Sequence, residues 1–219
     1  MKTYMRLRNE QPEALPAQFA HDDTRYPPEL VRAFLAEYTS VGDLVFDPFA
    51  GFGTTLRVAE EMGRRASGIE YDLERCSYSR SRLLHPETLL HGDARRLASY
   101  GLPPIDFTLT SPPYMHRDER ENALAADQEP GGGYDAYLTD IKAIYRQIGL
   151  LMTETARAVV EVSNLKKSGA VTPLAWDIAH QISQVLHFEG EIVVEWEPTY
   201  GYGYDHSYCL VFTRPLPEE

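Results

Sequence analysis

The chain has 219 residues, 43% hydrophobic and 25% charged, and its 33 acidic against 21 basic side chains give a formal net charge of -12. That length suits one α/β domain with a substantial core, and no apolar run approaches the roughly 20 residues that a membrane span needs. The two cysteines, Cys76 and Cys209, lie far apart and outside any CxxC pattern, which excludes a disulfide framework or a cysteine zinc site.

Met1 to Arg6 does not lead into an apolar signal core, so a cytoplasmic location is the expectation. Short apolar runs then alternate with longer helical patterns, which predicts βαβ units and a mostly parallel sheet. Apolar residues at three- and four-residue steps place helices at Glu29 to Tyr38, Thr54 to Met62, Leu73 to Leu84, Tyr134 to Met152 and Pro173 to His187. Strands are expected at Leu44 to Asp47, Ala66 to Ile69, Thr88 to His91, Phe107 to Thr110 and Ala158 to Val162. Beyond them, Glu191 to Glu197 and Ser207 to Thr213 are β-rich and joined by a Gly/Tyr connection, which predicts an antiparallel pair. Met115 to Gly133 is the one strongly loop-like insert, charge-rich and ending in three glycines, suited to ordering over a substrate.

The first strand ends in an acid and a glycine-bearing turn: Asp47-Pro48-Phe49-Ala50-Gly51-Phe52-Gly53-Thr54-Thr55. Glycines at 51 and 53 let the backbone turn tightly and approach a ligand at the carboxyl end of the strand. The second strand ends in Glu70-Tyr71-Asp72, and a carboxylate some 20 residues beyond the turn suits the two hydroxyls of a ribose. The third ends in Asp93-Ala94, placing another acid at the same sheet edge, within reach of an adenine amino group. No lysine follows Gly53 to hold phosphates, and Leu56 stands where a dinucleotide fold has its third glycine. The expected ligand is adenosine-like and lacks a polyphosphate.

The fourth strand, from Ile105 to Thr110, runs directly into Ser111-Pro112-Pro113-Tyr114. Consecutive prolines stiffen the backbone and aim the Ser111 hydroxyl and nearby carbonyls as acceptors, while Tyr114 offers a flat face to a planar ring. An isolated tetrapeptide of this kind reads as a stiff loop with a core tyrosine. Its position after three acid-terminated strands marks it as a catalytic loop.

The chain resembles the amino-methyltransferases of nucleic acids, the DNA N4-cytosine and N6-adenine enzymes and their RNA relatives. Residues 47 to 55 are similar to the family's cofactor motif, with Phe52 where a small residue is commoner, and Ser111 to Tyr114 to its catalytic motif. Tyr26-Pro27-Pro28-Glu29-Leu30-Val31 is similar to the segment that closes over the methionine part of the ligand. The resemblance covers about residues 20 to 114 by motif and the rest by architecture. It implies the class I methyltransferase fold, α/β and Rossmann-like, with a seven-stranded, mostly parallel sheet and a C-terminal antiparallel pair. It also implies S-adenosyl-L-methionine as cofactor, bound by Tyr26, Pro27, Asp47 to Gly51, Gly53, Thr54, Thr55, Glu70, Tyr71, Asp93 and Ala94.

On this reading one domain spans 1–219, with a cofactor half at 20–95, a catalytic half at 105–219 and no separate target-recognition domain. A serine leading the tetrapeptide is more typical of N4-cytosine enzymes, so cytosine N4 in DNA is the first choice. Arg117, Arg120, Tyr200 and Tyr202 are the expected substrate contacts, the tyrosines by stacking on bases. No metal is called for, and a homodimer or a recognition partner would make up for the absent reader.

Alternatives stay open. An RNA base amino-methyltransferase would explain the missing reader through a folded substrate, and an N6-adenine DNA enzyme shares the motifs. A non-catalytic cofactor-binding subunit predicts decay of the tetrapeptide, which is intact. The acidic balance argues against any polyanion partner that is not met by a local basic face.

Overall fold

The computed structural model describes residues 2–124, 132–198 and 202–215. Eight strands form the main sheet: β1 (Tyr4–Arg8), β2 (Leu44–Asp47), β3 (Arg65–Glu70), β4 (Leu89–His91), β5 (Ile105–Thr110), β6 (Met152–Val162), β9 (His187–Glu197) and β10 (His206–Thr213), with β7 (Leu165–Lys167) and β8 (Ala170–Thr172) making a separate hairpin. Their order across the sheet is β1-β9-β10-β6-β5-β2-β3-β4. Every neighbour pair is parallel except those of β10, which runs antiparallel to both β6 and β9.

This is the Rossmann-like class I methyltransferase sheet, and the seven expected strands are all in it. An eighth lies outside them. β1 alternates exposed and half-buried residues and pairs in parallel with β9 at the sheet edge. Its short Tyr-Met-Arg-Leu-Arg run carries too little apolar signal to stand out without its partner.

Among the described residues, five α-helices cover the two faces: α1 (Pro28–Tyr38), α2 (Thr54–Glu61), α3 (Leu73–Arg80), α4 (Gly133–Leu151) and α5 (Leu174–Ile182). Two large apolar clusters follow. One unites α4 and α5 with β5, β6 and β10, and the other sets α1 and α2 against β2, β5 and β9. The central strand β2 is buried throughout and reads as a continuous apolar run, Leu44-Val45-Phe46, closing on Asp47, whereas β5 is almost as buried but alternates apolar residues with Asp106, Thr108 and Thr110.

Close packing of α2 explains the missing third glycine of the turn. Leu56 fits because the glycine lies across from it, at Gly68 on β3, where a Cβ would come within 3.1 Å of the Leu56 methyls and 3.0 Å of the Asp47 carbonyl oxygen. The strand order reverses between β2 and β5, which opens the crevice where open α/β sheets place their ligands.

Candidate active site

A cavity of about 510 Å³ opens at the carboxyl ends of β2, β3, β4 and β5. It is lined by the β2 turn (Asp47 to Phe52, with Thr54), by Glu70 and Tyr71, by Gly92 to Arg95, and by all four residues Ser111 to Tyr114. The two motifs are more than sixty residues apart in sequence and share one chamber because β2 and β5 are adjacent and parallel.

Asp47 forms the floor. It is only 2% exposed, and its Oδ1 accepts the Thr110 hydroxyl at 2.5 Å and the Phe49 N–H at 3.0 Å, while Tyr26 donates to Oδ2 at 3.4 Å. Burial nevertheless wins over these hydrogen bonds and pushes the carboxyl up from 3.8 to about 6. Tyr26 also shares a short hydrogen bond with Thr55, whose hydroxyl lies 3.2 Å from the Leu109 carbonyl. Thr55 thus braces the site from below without lining it.

The Glu70 carboxylate is oriented by the backbone. Oε2 accepts the Gly51 N–H at 2.7 Å and Oε1 the Asp72 N–H at 2.8 Å. A carboxylate has about four lone-pair directions, so each oxygen keeps one for a ligand hydroxyl. Burial raises this carboxyl as well.

Gly53 holds the turn at φ 76° as the cap of α2, in contact range of Ser79, whose hydroxyl donates to the Gly51 carbonyl at 2.8 Å. Phe52 packs with Leu15, Phe19 and Tyr78 under the Arg75 guanidinium. Its bulk, unusual for the motif, thereby anchors the segment that leads to Thr24 and Arg25, which also line the cavity.

Asp93 is also engaged by its own loop. It lines the cavity, but its oxygens accept the Arg95 backbone N–H at 2.9 Å and hold the Arg95 guanidinium at 2.7 Å. Arg95 is the second residue of the 3-10 helix Ala94–Tyr100 that Asp93 caps after β4, too near in sequence for the strand pattern to single it out.

The Ser111 to Tyr114 loop is clamped at its far end. Tyr137, on α4, donates to the Pro113 carbonyl at 2.8 Å. The Tyr114 hydroxyl donates to Glu161 Oε2 at 3.1 Å and accepts the Ser163 N–H at 3.0 Å. Glu161 is fully buried near the end of β6. An acid within an apolar strand was the signal for it, and sequence reasoning passed it over. Ser111 lines the cavity, and its hydroxyl has no hydrogen-bond partner among the described residues.

Of the expected substrate contacts, Tyr202 lines the cavity with its ring 5.0 Å from that of Tyr114. Arg117 and Arg120 lie outside the cavity wall, and Arg117 is held by Asp177 at 2.7 Å. Tyr200 falls outside the described residues. Pro27 caps α1 behind Tyr26.

Residues 3–81 match the N6/N4 methyltransferase family profile, described as DNA methylase. Over these residues the chain is similar to that family. Among similar curated proteins, a type II methyltransferase (M.MjaII) of Methanocaldococcus jannaschii is 42% identical over 24% of this chain, and another (M.XycI) of Xanthomonas campestris is 40% identical over 27%. The matched stretches span only 10% and 20% of those proteins.

In structure the chain is similar to TrmN from Thermus thermophilus, with a TM-score of 0.64 at 19% identity over 90% of this chain and 51% of that one. It is also similar to the glycopeptide N-methyltransferase MtfA complexed with S-adenosyl-L-methionine, with a TM-score of 0.57 at 11% identity over 86% and 94% of the two chains. Those two likenesses are of fold.

Family and fold together imply S-adenosyl-L-methionine as the cofactor, and the residues fit it. Glu70 is pre-set by two backbone donors to accept ribose hydroxyls. Asp47 offers a buried acid to an ammonium group.

Proposed function

We propose that this protein transfers a methyl group from S-adenosyl-L-methionine to the exocyclic amino group of a base in DNA, with cytosine N4 as the target atom. The observation that carries the reading is the shared chamber: Ser111, Pro112, Pro113 and Tyr114 face the same 510 Å³ cavity as Asp47 and Glu70. The cofactor supplies a methyl group already activated on a sulfonium, so the protein's task is to place and prepare the amine.

An exocyclic amine is a poor nucleophile because its lone pair is delocalised into the ring. Ser111 Oγ and the Pro112 carbonyl accept hydrogen bonds from its two N–H groups and draw the nitrogen toward a tetrahedral shape, with the lone pair aimed at the methyl. Proline at 112 and 113 holds these acceptors in place, and the Tyr137 bond to the Pro113 carbonyl stops the loop from swinging. Tyr114 stacks on the base, its ring angle set by Glu161 and Ser163. For duplex DNA the base leaves the stack before it reaches this chamber. Serine at 111 favours cytosine N4, since a neutral hydroxyl is the family's commoner choice for that amine.

The whole chain forms one methyltransferase unit on this reading, and DNA is its partner. The test is methyl transfer from labelled cofactor to genomic DNA and to total RNA, followed by nucleoside analysis. N4-methylcytosine in DNA is the expected product. N6-methyladenine would revise the base, and label in RNA alone would overturn the DNA assignment.

A further inference from the structure

The charge of -12 makes most of the surface repel a polyanion, so a DNA methyltransferase of this composition needs a local grip. One feature beside the cavity mouth has the right chemistry and no part in the chamber's chemistry. It is the β7–β8 hairpin.

Leu165 at its base is buried and lines the cavity, while residues 166 to 171 are all exposed. Its turn is stiff: Ser168 at φ 51° and Gly169 at φ 84° join strands in register at Lys167 and Ala170, the two-residue geometry that matches strand twist. Successive strand residues point to opposite sides, so the hairpin presents one lysine to each flank. Lys166 lies over the Tyr204 ring, with Nζ 4.1 Å from its centre, and Lys167 reaches toward Asp118 at 3.8 Å on the loop that leaves the catalytic tetrapeptide.

Two hydrogen bonds connect the hairpin to the catalytic centre. The Lys166 N–H donates to the Tyr202 carbonyl at 3.1 Å, and Tyr202 packs on Tyr114. The Arg117 N–H donates to the Thr172 hydroxyl at 3.2 Å, joining β8 to the same loop. Exposed aromatic rings complete the surface, with Tyr202 at 40% exposure and Trp176, just beyond β8, at 44%. Of the acids nearby, Asp118 faces Lys167, Asp177 faces Arg117, and Asp205 bonds His206 close to Lys166; exposed pairs of this kind exchange readily for another anion. Cations interleaved with exposed aromatics along a groove mouth are the requirements of a strand-binding surface.

We propose that the β7–β8 hairpin is the DNA-gripping element of this chain, with Lys166 and Lys167 neutralising the phosphates that flank the target base and Tyr202 stacking against that base's neighbour. This rests on the reading of the chamber as a DNA-base methylating site, and it supplies the grip that a separate recognition domain provides elsewhere.

The test compares wild type with Lys166→Gln/Lys167→Gln, which keeps most of each side-chain stem, by fluorescence anisotropy on labelled DNA oligonucleotides over a salt series. Cofactor binding by calorimetry and methyl transfer are measured on both proteins. The expected result is about a ten- to fifty-fold weaker DNA affinity near 0.1 M salt and a salt slope shallower by about 1 to 2. Cofactor affinity should be unchanged, and Asp118→Asn should tighten DNA binding.

If wild type methylates DNA and the double variant binds it with unchanged affinity and salt slope, the hairpin assignment is wrong while the function stands. If wild type transfers no methyl group to DNA, the functional reading fails and the hairpin assignment falls with it. A variant that loses cofactor affinity in parallel would also overturn the hairpin assignment, because the lysines would then be supporting the cavity.

Discussion

Replacing Asp47 by asparagine separates what this residue does for the cofactor from what it does to the fold. The carboxyl is buried and raised from 3.8 to about 6, so the native state holds its proton more tightly than the unfolded chain does. The stability linked to this group is therefore fully present below about pH 3.8, declines as pH rises through about 6, and is gone above that. The gap between the two values corresponds to roughly 3 kcal/mol at pH 7.5, and to about 1 kcal/mol at pH 4.5 where the unfolded group is itself mostly ionised.

Asparagine keeps an oxygen for the Thr110 hydroxyl and the Phe49 N–H, and its amide group can meet the Tyr26 hydroxyl. Asp47→Asn should therefore be more stable than wild type by up to about 3 kcal/mol at pH 7.5, a rise of roughly 6 to 12 °C in Tm for a chain of this size. At pH 4.5 the gain should shrink to about a third. Cofactor affinity should fall about ten- to a hundred-fold, since a charge-assisted hydrogen bond is lost. In wild type, affinity should tighten as pH rises through 6, and in the variant it should not. Urea unfolding at the two pH values, with calorimetry of cofactor binding, gives all four numbers. A variant destabilised equally at both pH values, or one that binds cofactor like wild type, would refute the reasoning.

Tyr114→Ala should lower methyl transfer by about ten- to a hundred-fold, the worth of one stacked base, and leave the cofactor Kd nearly unchanged by calorimetry. If cofactor binding is lost and the circular dichroism spectrum is not, Tyr114 belongs to the cofactor subsite. Glu70→Gln retains an acceptor for only one of the two backbone donors at Gly51 and Asp72, and puts an amide N–H against the other. It should weaken cofactor binding at least tenfold and destabilise the fold by about 1 to 3 kcal/mol in denaturant titration. Gly53→Ala places a Cβ 3.2 Å from Ser79 Cβ at φ 76°, and should cost about 1 to 2 kcal/mol in the same measurement while reducing cofactor affinity. An alanine variant as stable as wild type would show that the turn does not need its left-handed geometry.

The elements that position the chamber were legible in the chain. Leu44 to Asp47 matches β2 residue for residue, and the helices beginning near Pro28, Thr54, Leu73, Gly133 and Leu174 start within one residue of their predicted positions. Hydrophobic period and local turn chemistry carry that information, because both act over a few residues. The prolines of Ser111 to Tyr114 and the glycines at 51 and 53 are equally local signals.

Contacts between distant segments were decided by the tertiary structure. Tyr137 holds the Pro113 carbonyl and Glu161 receives the Tyr114 hydroxyl, pairings that join residues 24 and 47 positions apart. β1 is a strand because β9 offers it an edge, and Lys166 and Lys167 become a candidate grip because the β7–β8 turn sets them beside Tyr202. The sequence by itself determined which chemistry the chain can carry, since backbone propensity and motif spacing are written locally. Which side chains meet at the cavity, and where a strongly acidic protein presents its positive charge, follow only from strand order and packing, which no window of sequence contains.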